Sequence, residues 1–238
     1  MKNINTHVLG IIGGMGPYTD GEFISLLRRQ TNAVSDSEHI PLILDGNCAR
    51  PDRTEFIYGN GKSPLPSLIS SLQKLQACGA DVIAMPCNTA HFFISELKRS
   101  ARPSVKVIDM TDEVCRFCAL RGYKTVTVLA TLGTHNAGIY PKRLAEYGIP
   151  EVTQSREQIE EIQRKIQLIK SGKAESVRYT IEKALRVSDA VIIGCTELSL
   201  SVLNDPYFKK GELRTRIADS LSILALSCIK ACEREVTV

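Results

Sequence analysis

No apolar run in this 238-residue chain approaches the roughly 20 residues needed to cross a bilayer, because Gly, Pro or a charged residue interrupts every candidate. The N-terminus passes from Met1 through His7 straight into Val8-Leu9-Gly10-Ile11-Ile12, without the apolar segment and cleavage site of a secreted precursor. Long basic runs and aromatic-interleaved basic stripes are missing too, although 30 Lys and Arg against 26 Asp and Glu leave a net charge of +4. The chain is therefore expected to be cytoplasmic, with no membrane and no nucleic acid among its partners. Eight cysteines occur, at 48, 78, 87, 115, 118, 195, 228 and 232. A chain this long builds a core without staples, so reduced thiols are expected rather than a disulfide framework. Hydrophobic residues at 43% and charged residues at 24% describe an ordinary globular protein.

Short apolar runs alternate with helix-length segments, and most changeovers carry Gly, Pro, Asn or Thr. That order predicts an α/β fold with largely parallel sheets flanked by helices. Strands are expected over 7–12, 40–45, 81–86, 105–109, 124–130 and 189–194, and helices over 18–32, 64–78, 89–100, 110–121, 135–147, 155–171, 173–187 and 214–233. An internal repeat overlies the alternation. Asp81-Val-Ile-Ala-Met-Pro-Cys87 matches Asp189-Ala-Val-Ile-Ile-Gly-Cys195, and residues 9–16 match 126–133. The chain thus reads as two related halves, each ending a buried strand on a cysteine. In open α/β sheets ligands bind beyond the carboxyl ends of the strands, which is where both cysteines fall.

Several motifs compete for a role. Gly13-Gly-Met-Gly-Pro17 follows the first strand and fits both a tight turn and a loop whose amides face an anion; the full dinucleotide fingerprint is absent. Gly59-Asn-Gly-Lys-Ser63 resembles the end of a phosphate loop, but Phe56 stands where its first Gly belongs. Cys115 with Cys118, and Cys228 with Cys232, lack a second ligand pair at zinc spacing and sit in helical patterns, where cysteine is a small hydrophobe. No metal site is assigned. Cys87 and Cys195 differ from these, because each lies between a strand and a helix start, where a helix N-terminus favours the thiolate. His91 fits a role in polarising Cys87 or contacting substrate and equally one in packing. Glu197 suits the first turn of a helix with or without chemistry. Arg50 and Arg53 flank Pro51 and Asp52 in a loop able to aim a guanidinium at a carboxylate, or to leave it solvated. Lys170 is by default a cation near a helix C-terminus.

Together these residues resemble the aspartate/glutamate racemase family, its aspartate racemase branch in particular. Gly-Gly-Met-Gly-Pro at 13–17, Pro-Asp-Arg-Thr at 51–54, Met-Pro-Cys-Asn-Thr-Ala-His at 85–91, Ala-Thr-Leu-Gly-Thr at 130–134 and Gly-Cys-Thr-Glu-Leu at 194–198 occur in the family's order. The resemblance implies two pseudo-symmetric Rossmann-like domains, 1–110 with 214–238 carrying Cys87 and 111–213 carrying Cys195. It places the active site between them and implies a homodimer. It makes Cys87 and Cys195 the catalytic pair. Arg53 and Lys170 would hold a side-chain carboxylate, and Asn88, Thr89 and Thr196 the α-carboxylate. Met15, Asp52, Thr54 and Thr131 complete the substrate-binding set, with His91 and Glu197 as auxiliaries. Two departures stand out: Asn47-Cys-Ala-Arg50 replaces the family's Asn-Pro-x-Ile, and Arg214 to Ser220 replaces an apolar strand ending in Asp-Ser.

The implied reaction is interconversion of L- and D-aspartate. One thiolate removes the α-proton while the other thiol returns one to the opposite face. The scheme calls for no cofactor, neither pyridoxal phosphate nor metal. Glutamate or broad-specificity racemisation, a related cysteine-dependent isomerase or decarboxylase, and a non-catalytic amino-acid-binding protein remain alternatives.

Overall fold

The computed structural model describes residues 7–208 and 212–237. The start read above for a leader, residues 1–6, and residues 209–211 of the expected second domain lie outside the described residues. The chain runs β1 (Leu9–Ile12), α1 (Pro17–Gln30), β2 (Leu42–Asp45), α2 (Arg53–Ile57), α3 (Leu65–Ala77), β3 (Val82–Ala84), α4 (Ile94–Ser100), β4 (Lys106–Val107) and α5 (Met110–Leu120). It continues with β5 (Val126–Ala130), α6 (Leu132–Asn136), α7 (Ile139–Glu146), α8 (Arg156–Lys170), α9 (Arg178–Leu185), β6 (Ala190–Gly194), α10 (Thr196–Asn204), β7 (Ile217–Asp219) and α11 (Ser220–Ala231).

The strands form two all-parallel sheets, ordered β2-β1-β3-β4 and β5-β6-β7. Residues of β1, β3, β5, β6 and β7 are buried throughout, as parallel strands covered on both faces must be. In β6 the period of two sends Val191 and Ile193 towards α8 to α10, and Ala190 and Ile192 towards α5 and α7. The internal repeat corresponds to β1 with β5 and β3 with β6, so each cysteine follows a strand flanked by a neighbour on either side. Among the described residues the second half has no full counterpart of β2; its place is taken by one parallel bridge, Val126 with Glu151. Among the described residues no helix is long and apolar enough to cross a membrane.

The sequence reading needs five corrections. The expected helix 214–233 begins at Ser220, because buried Ile217-Ala-Asp219 pair with β6 and the Asp219 carboxylate caps α11 by accepting from Ser222 N at 2.8 Å. The expected helix 135–147 is two helices, broken at Gly138, whose φ of +59° is left-handed. The expected 173–187 helix starts only at Arg178, and 89–100 opens as a 3₁₀ turn over 89–93 before α4. Helix α2 is absent from the expected set; Asp52 creates it by accepting from Thr54 N and Glu55 N.

The halves exchange their last helices. After β4, α5 packs Val114, Cys115 and Cys118 into the core of the second sheet. After β7, α11 packs Leu221, Leu224, Ala225 and Cys228 into the core of the first. The first crossover turns on Asp109, 6% exposed, which accepts from Asp112 N, the Thr111 hydroxyl, Lys98 Nζ and Arg143 Nη2 at 2.8–3.1 Å. Burial alone would raise its carboxyl, but the His91 ring where it is protonated, the Thr111 hydroxyl and the Lys98 ammonium outweigh burial and hold it down at about 2 from 3.8. A depressed carboxyl stabilises the fold above its unfolded value, and this contribution fades as pH falls from near 4 towards 2. Urea titrations over this range should show Asp109→Asn less stable than the parent at neutral pH, with a shallower acid limb. Parallel limbs would mean that Asp109 plays no such part.

Candidate functional site

The two cysteines reach one cleft by the same local route. Strand β3 ends at Ala84, and Met85-Pro86 turn the chain so that Cys87 N donates to Met85 O at 2.8 Å. Strand β6 ends at Gly194, and Cys195 is the N-cap of α10. Cys87 is 6% exposed and Cys195 4%. Around them the cleft gathers Met15, Asp52, Arg53, Thr54, Asn88, Thr89, Thr131, Lys170, Thr196 and Glu197. All the residues expected to bind substrate thus share one cavity with both thiols. A larger cavity shares Met15, Asp52, Arg53, Lys170 and Glu197 with it and leads outward past Tyr18, Cys48 and Leu200. A separate groove between α8 and α9 contains none of these groups.

His91 does not line the cleft. It is 3% exposed, its Nδ1 donates to Cys87 O at 2.8 Å and its Nε2 accepts from Met110 N at 3.1 Å. A carbonyl on one side and an N–H on the other define a neutral ring, and burial pushes its pKa below the ordinary value. His91 therefore braces the backbone of Cys87 against the crossover into α5.

Asn88 is held at both ends of its amide: Oδ1 accepts from the Tyr140 hydroxyl at 2.6 Å, and Nδ2 donates to Ser220 Oγ at 3.0 Å. Tyr140 is fully buried and stays protonated, burial raising its phenol well above the ordinary value. Thr89, Thr131 and Thr134 form a triangle of hydroxyls with sides of 2.9, 3.0 and 3.0 Å across the two halves. Sequence reasoning missed Tyr140, Ser220 and Thr134 as members of the site. Ser220 had a signal in the Asp-Ser pair, and Thr134 in the Ala-Thr-Leu-Gly-Thr motif, whereas Tyr140 had none.

The pseudo-symmetric positions carry different chemistry. Thr89 packs on Gly133 of the other half, where a Cβ would lie 3.0 Å from Thr89 Cγ2; Glu197 faces Gly16 in the same way, at 3.1 Å. Thr89 is neutral, whereas Glu197 Oε2 accepts from Cys195 Sγ at 3.1 Å and Oε1 lies 3.7 Å from Lys170 Nζ. Helix α10 was expected to favour a Cys195 thiolate; the opposite holds. Burial first, and the Glu197 carboxylate next, push this thiol well above its ordinary value, against weaker help from Lys170 and the Glu197 N–H. Cys195 rests as a thiol. Burial pulls the Lys170 ammonium down most strongly, but Glu197 together with the Cys195 and Cys87 sulfurs outweighs it and leaves its pKa raised, so it keeps its charge.

Arg53 is 9% exposed and begins α2. Its Nη1 donates to Pro51 O at 3.1 Å, its buried Nε has no partner, and no carboxylate lies within ion-pair distance among the described residues. A buried guanidinium without an anion is costly, and the cleft beside it is where an anion would reduce that cost.

Two parallel-sheet halves each deliver a thiol to one shared polar cleft. The chain belongs to the Asp/Glu/hydantoin racemase family, whose model matches residues 12–214. It is 28% identical to the aspartate racemase of Picrophilus torridus, whose structure superposes with a TM-score of 0.82 over 97% of this chain and 96% of that one. The broad specificity amino-acid racemase RacX of Bacillus subtilis is 26% identical over 81% of this chain and 86% of its own length. The fold is shared also with an aspartate racemase homologue from Pyrococcus horikoshii, at 24% identity and a TM-score of 0.74 over 96% and 99% of the two chains.

Removing the Glu197 charge should release Cys195. In Glu197→Gln, alkylation of Cys195 by iodoacetamide, followed by peptide mass spectrometry, should begin at lower pH than in the parent. Identical pH profiles would show that the carboxylate does not hold the proton.

Proposed function

We propose that this racemase acts on acidic amino acids, aspartate first among them, with Cys87 and Cys195 as bases on opposite faces of Cα. The observation that carries the reading is Arg53: a buried guanidinium lacking an anion, in the same cleft as both thiols. A substrate side-chain carboxylate would supply that anion through a charge-assisted contact. The uncommitted Nδ2 proton of Asn88 and the N-terminus of α10 at Thr196 suit the α-carboxylate, where charge accumulates when the α-proton leaves.

Because Glu197 keeps Cys195 protonated, Cys195 is the donor and Cys87 the acceptor in a turnover that starts from this state. Thiolate Cys87 takes the α-proton and leaves a planar carbanion; thiol Cys195 then gives its proton to the opposite face. The product state has a Cys87 thiol and a Cys195 thiolate, and the reverse reaction begins there. A second reading, a wider substrate range, draws support from Lys170, whose ammonium is engaged by Glu197 and so is less free to read a second carboxylate.

Each pure enantiomer of aspartate, glutamate and alanine, incubated in heavy water, should reveal the range through chiral chromatography and α-deuterium content. Aspartate should racemise fastest, with solvent deuterium at Cα. Cys87→Ser and Cys195→Ser should each lower that rate by at least about a hundredfold, the scale of a lost proton-transfer group. Near-parental racemisation by either variant would defeat the two-base reading, and alanine outpacing aspartate would favour the wider range.

A further inference from the structure

The Arg50 side chain is fully buried. All five of its N–H groups are used. Nε donates to Gly13 O at 3.2 Å; Nη1 donates to Ser67 O at 2.7 Å and to Ser67 Oγ at 3.0 Å; Nη2 donates to Ser71 Oγ at 2.6 Å and Asp45 O at 3.5 Å. Nη2 also lies 3.5 Å from the Asp45 carboxylate, which accepts in turn from the Ser71 hydroxyl. One planar fork thus ties together the end of β1, the end of β2 and the first turns of α3. None of these groups faces the thiols.

The fork holds the loop that carries Arg53. From Arg50 the chain passes through Pro51, whose carbonyl accepts from Arg53, to Asp52, which caps α2. On its other side the loop abuts the first Gly-rich turn: Gly14 has a φ of +81°, and a Cβ there would lie 2.3 Å from the Asn47 backbone. Displacing the fork would therefore move the Arg53 loop and the Met15 turn together. Proline and the cap stiffen the remaining path, so a shift at Arg50 is passed to Arg53 with little slack.

We propose that Arg50 is a positioning residue that sets Arg53 at the wall of the cleft and thereby confers affinity for substrates with an acidic side chain. This rests on the reading that Arg53 takes a substrate carboxylate. Lysine cannot replace the fork, because an ammonium offers three donors around one point and cannot span β1, β2 and α3 at once. A residue that only filled the core would affect stability and turnover alike, without singling out Arg53.

The test is a double-mutant cycle on Arg50→Lys and Arg53→Lys, read by KM and kcat for L-aspartate, by calorimetric titration with malonate dianion, and by thermal melting. Arg50→Lys should raise KM and the malonate Kd by about tenfold, the effect of a weakened charge-assisted contact, while kcat stays within about twofold. In the Arg53→Lys background it should add almost nothing further. Ser71→Ala, which removes one partner of the fork, should shift both constants the same way by less, and takes the place of Arg50→Lys in the cycle if that variant does not fold. Additive losses, an equal fall in kcat and affinity, or no malonate binding by the parent would overturn the proposal. Malonate binding with the expected cycle, but no α-proton exchange on any amino acid, would uphold Arg50 while removing the racemase reading.

Discussion

The site depends on a reciprocal close approach: the residue two places after each cysteine packs against a glycine of the other half. Thr89 and, more closely, Thr54 leave no room for a Cβ at Gly133, and Glu197 leaves little at Gly16. Each cysteine is thereby fixed relative to the opposite sheet as well as its own. The exchange of α5 and α11 between the cores serves the same end, since neither half can move without dragging a helix packed in the other. Under the two-base proposal, two thiols acting on one carbon would need this kind of coupling, because misplacement by an ångström is enough to forfeit much of the rate.

Within this near-symmetric frame the chemistry is deliberately unequal. The Thr89, Thr131 and Thr134 hydroxyls satisfy one another on one side, and Glu197 bridges Cys195 to Lys170 on the other. Burial and the carboxylate beside it keep a proton on the Cys195 sulfur, which makes it the donor under the two-base proposal. His91 and Asn88 use both ends of their polar groups on protein partners, leaving few ways for the Cys87 segment to rearrange.

Two buried arginines three residues apart show how differently the same side chain can be used. Arg50 spends every N–H on backbone and side-chain oxygens, whereas Arg53 retains a buried Nε with no partner. The satisfied one stiffens the loop, and the unsatisfied one gives the cleft its need for an anion. Neither role works without the other, since an unpaired guanidinium on a loose loop would turn to solvent.

Much of this was legible in the sequence. Buried parallel strands appear as apolar runs, so β1, β3, β5 and β6 stand out, and the repeated strand-to-cysteine junction marks Cys87 and Cys195 without reference to any other protein. Strand β7 did not stand out, because three residues are too few for a periodic signal and burial against β6 is a long-range fact. Arg50 fitted a guanidinium aimed at a carboxylate or one left solvated, His91 fitted two roles equally, and Tyr140 carried no mark at all. The sequence by itself determined the fold class, the two thiols and the loops that accompany them, because those depend on local pattern and spacing. Only the tertiary structure decided which arginine is left unpaired, which thiol keeps its proton and what holds Asn88, because each follows from burial and from partners brought together from distant parts of the chain.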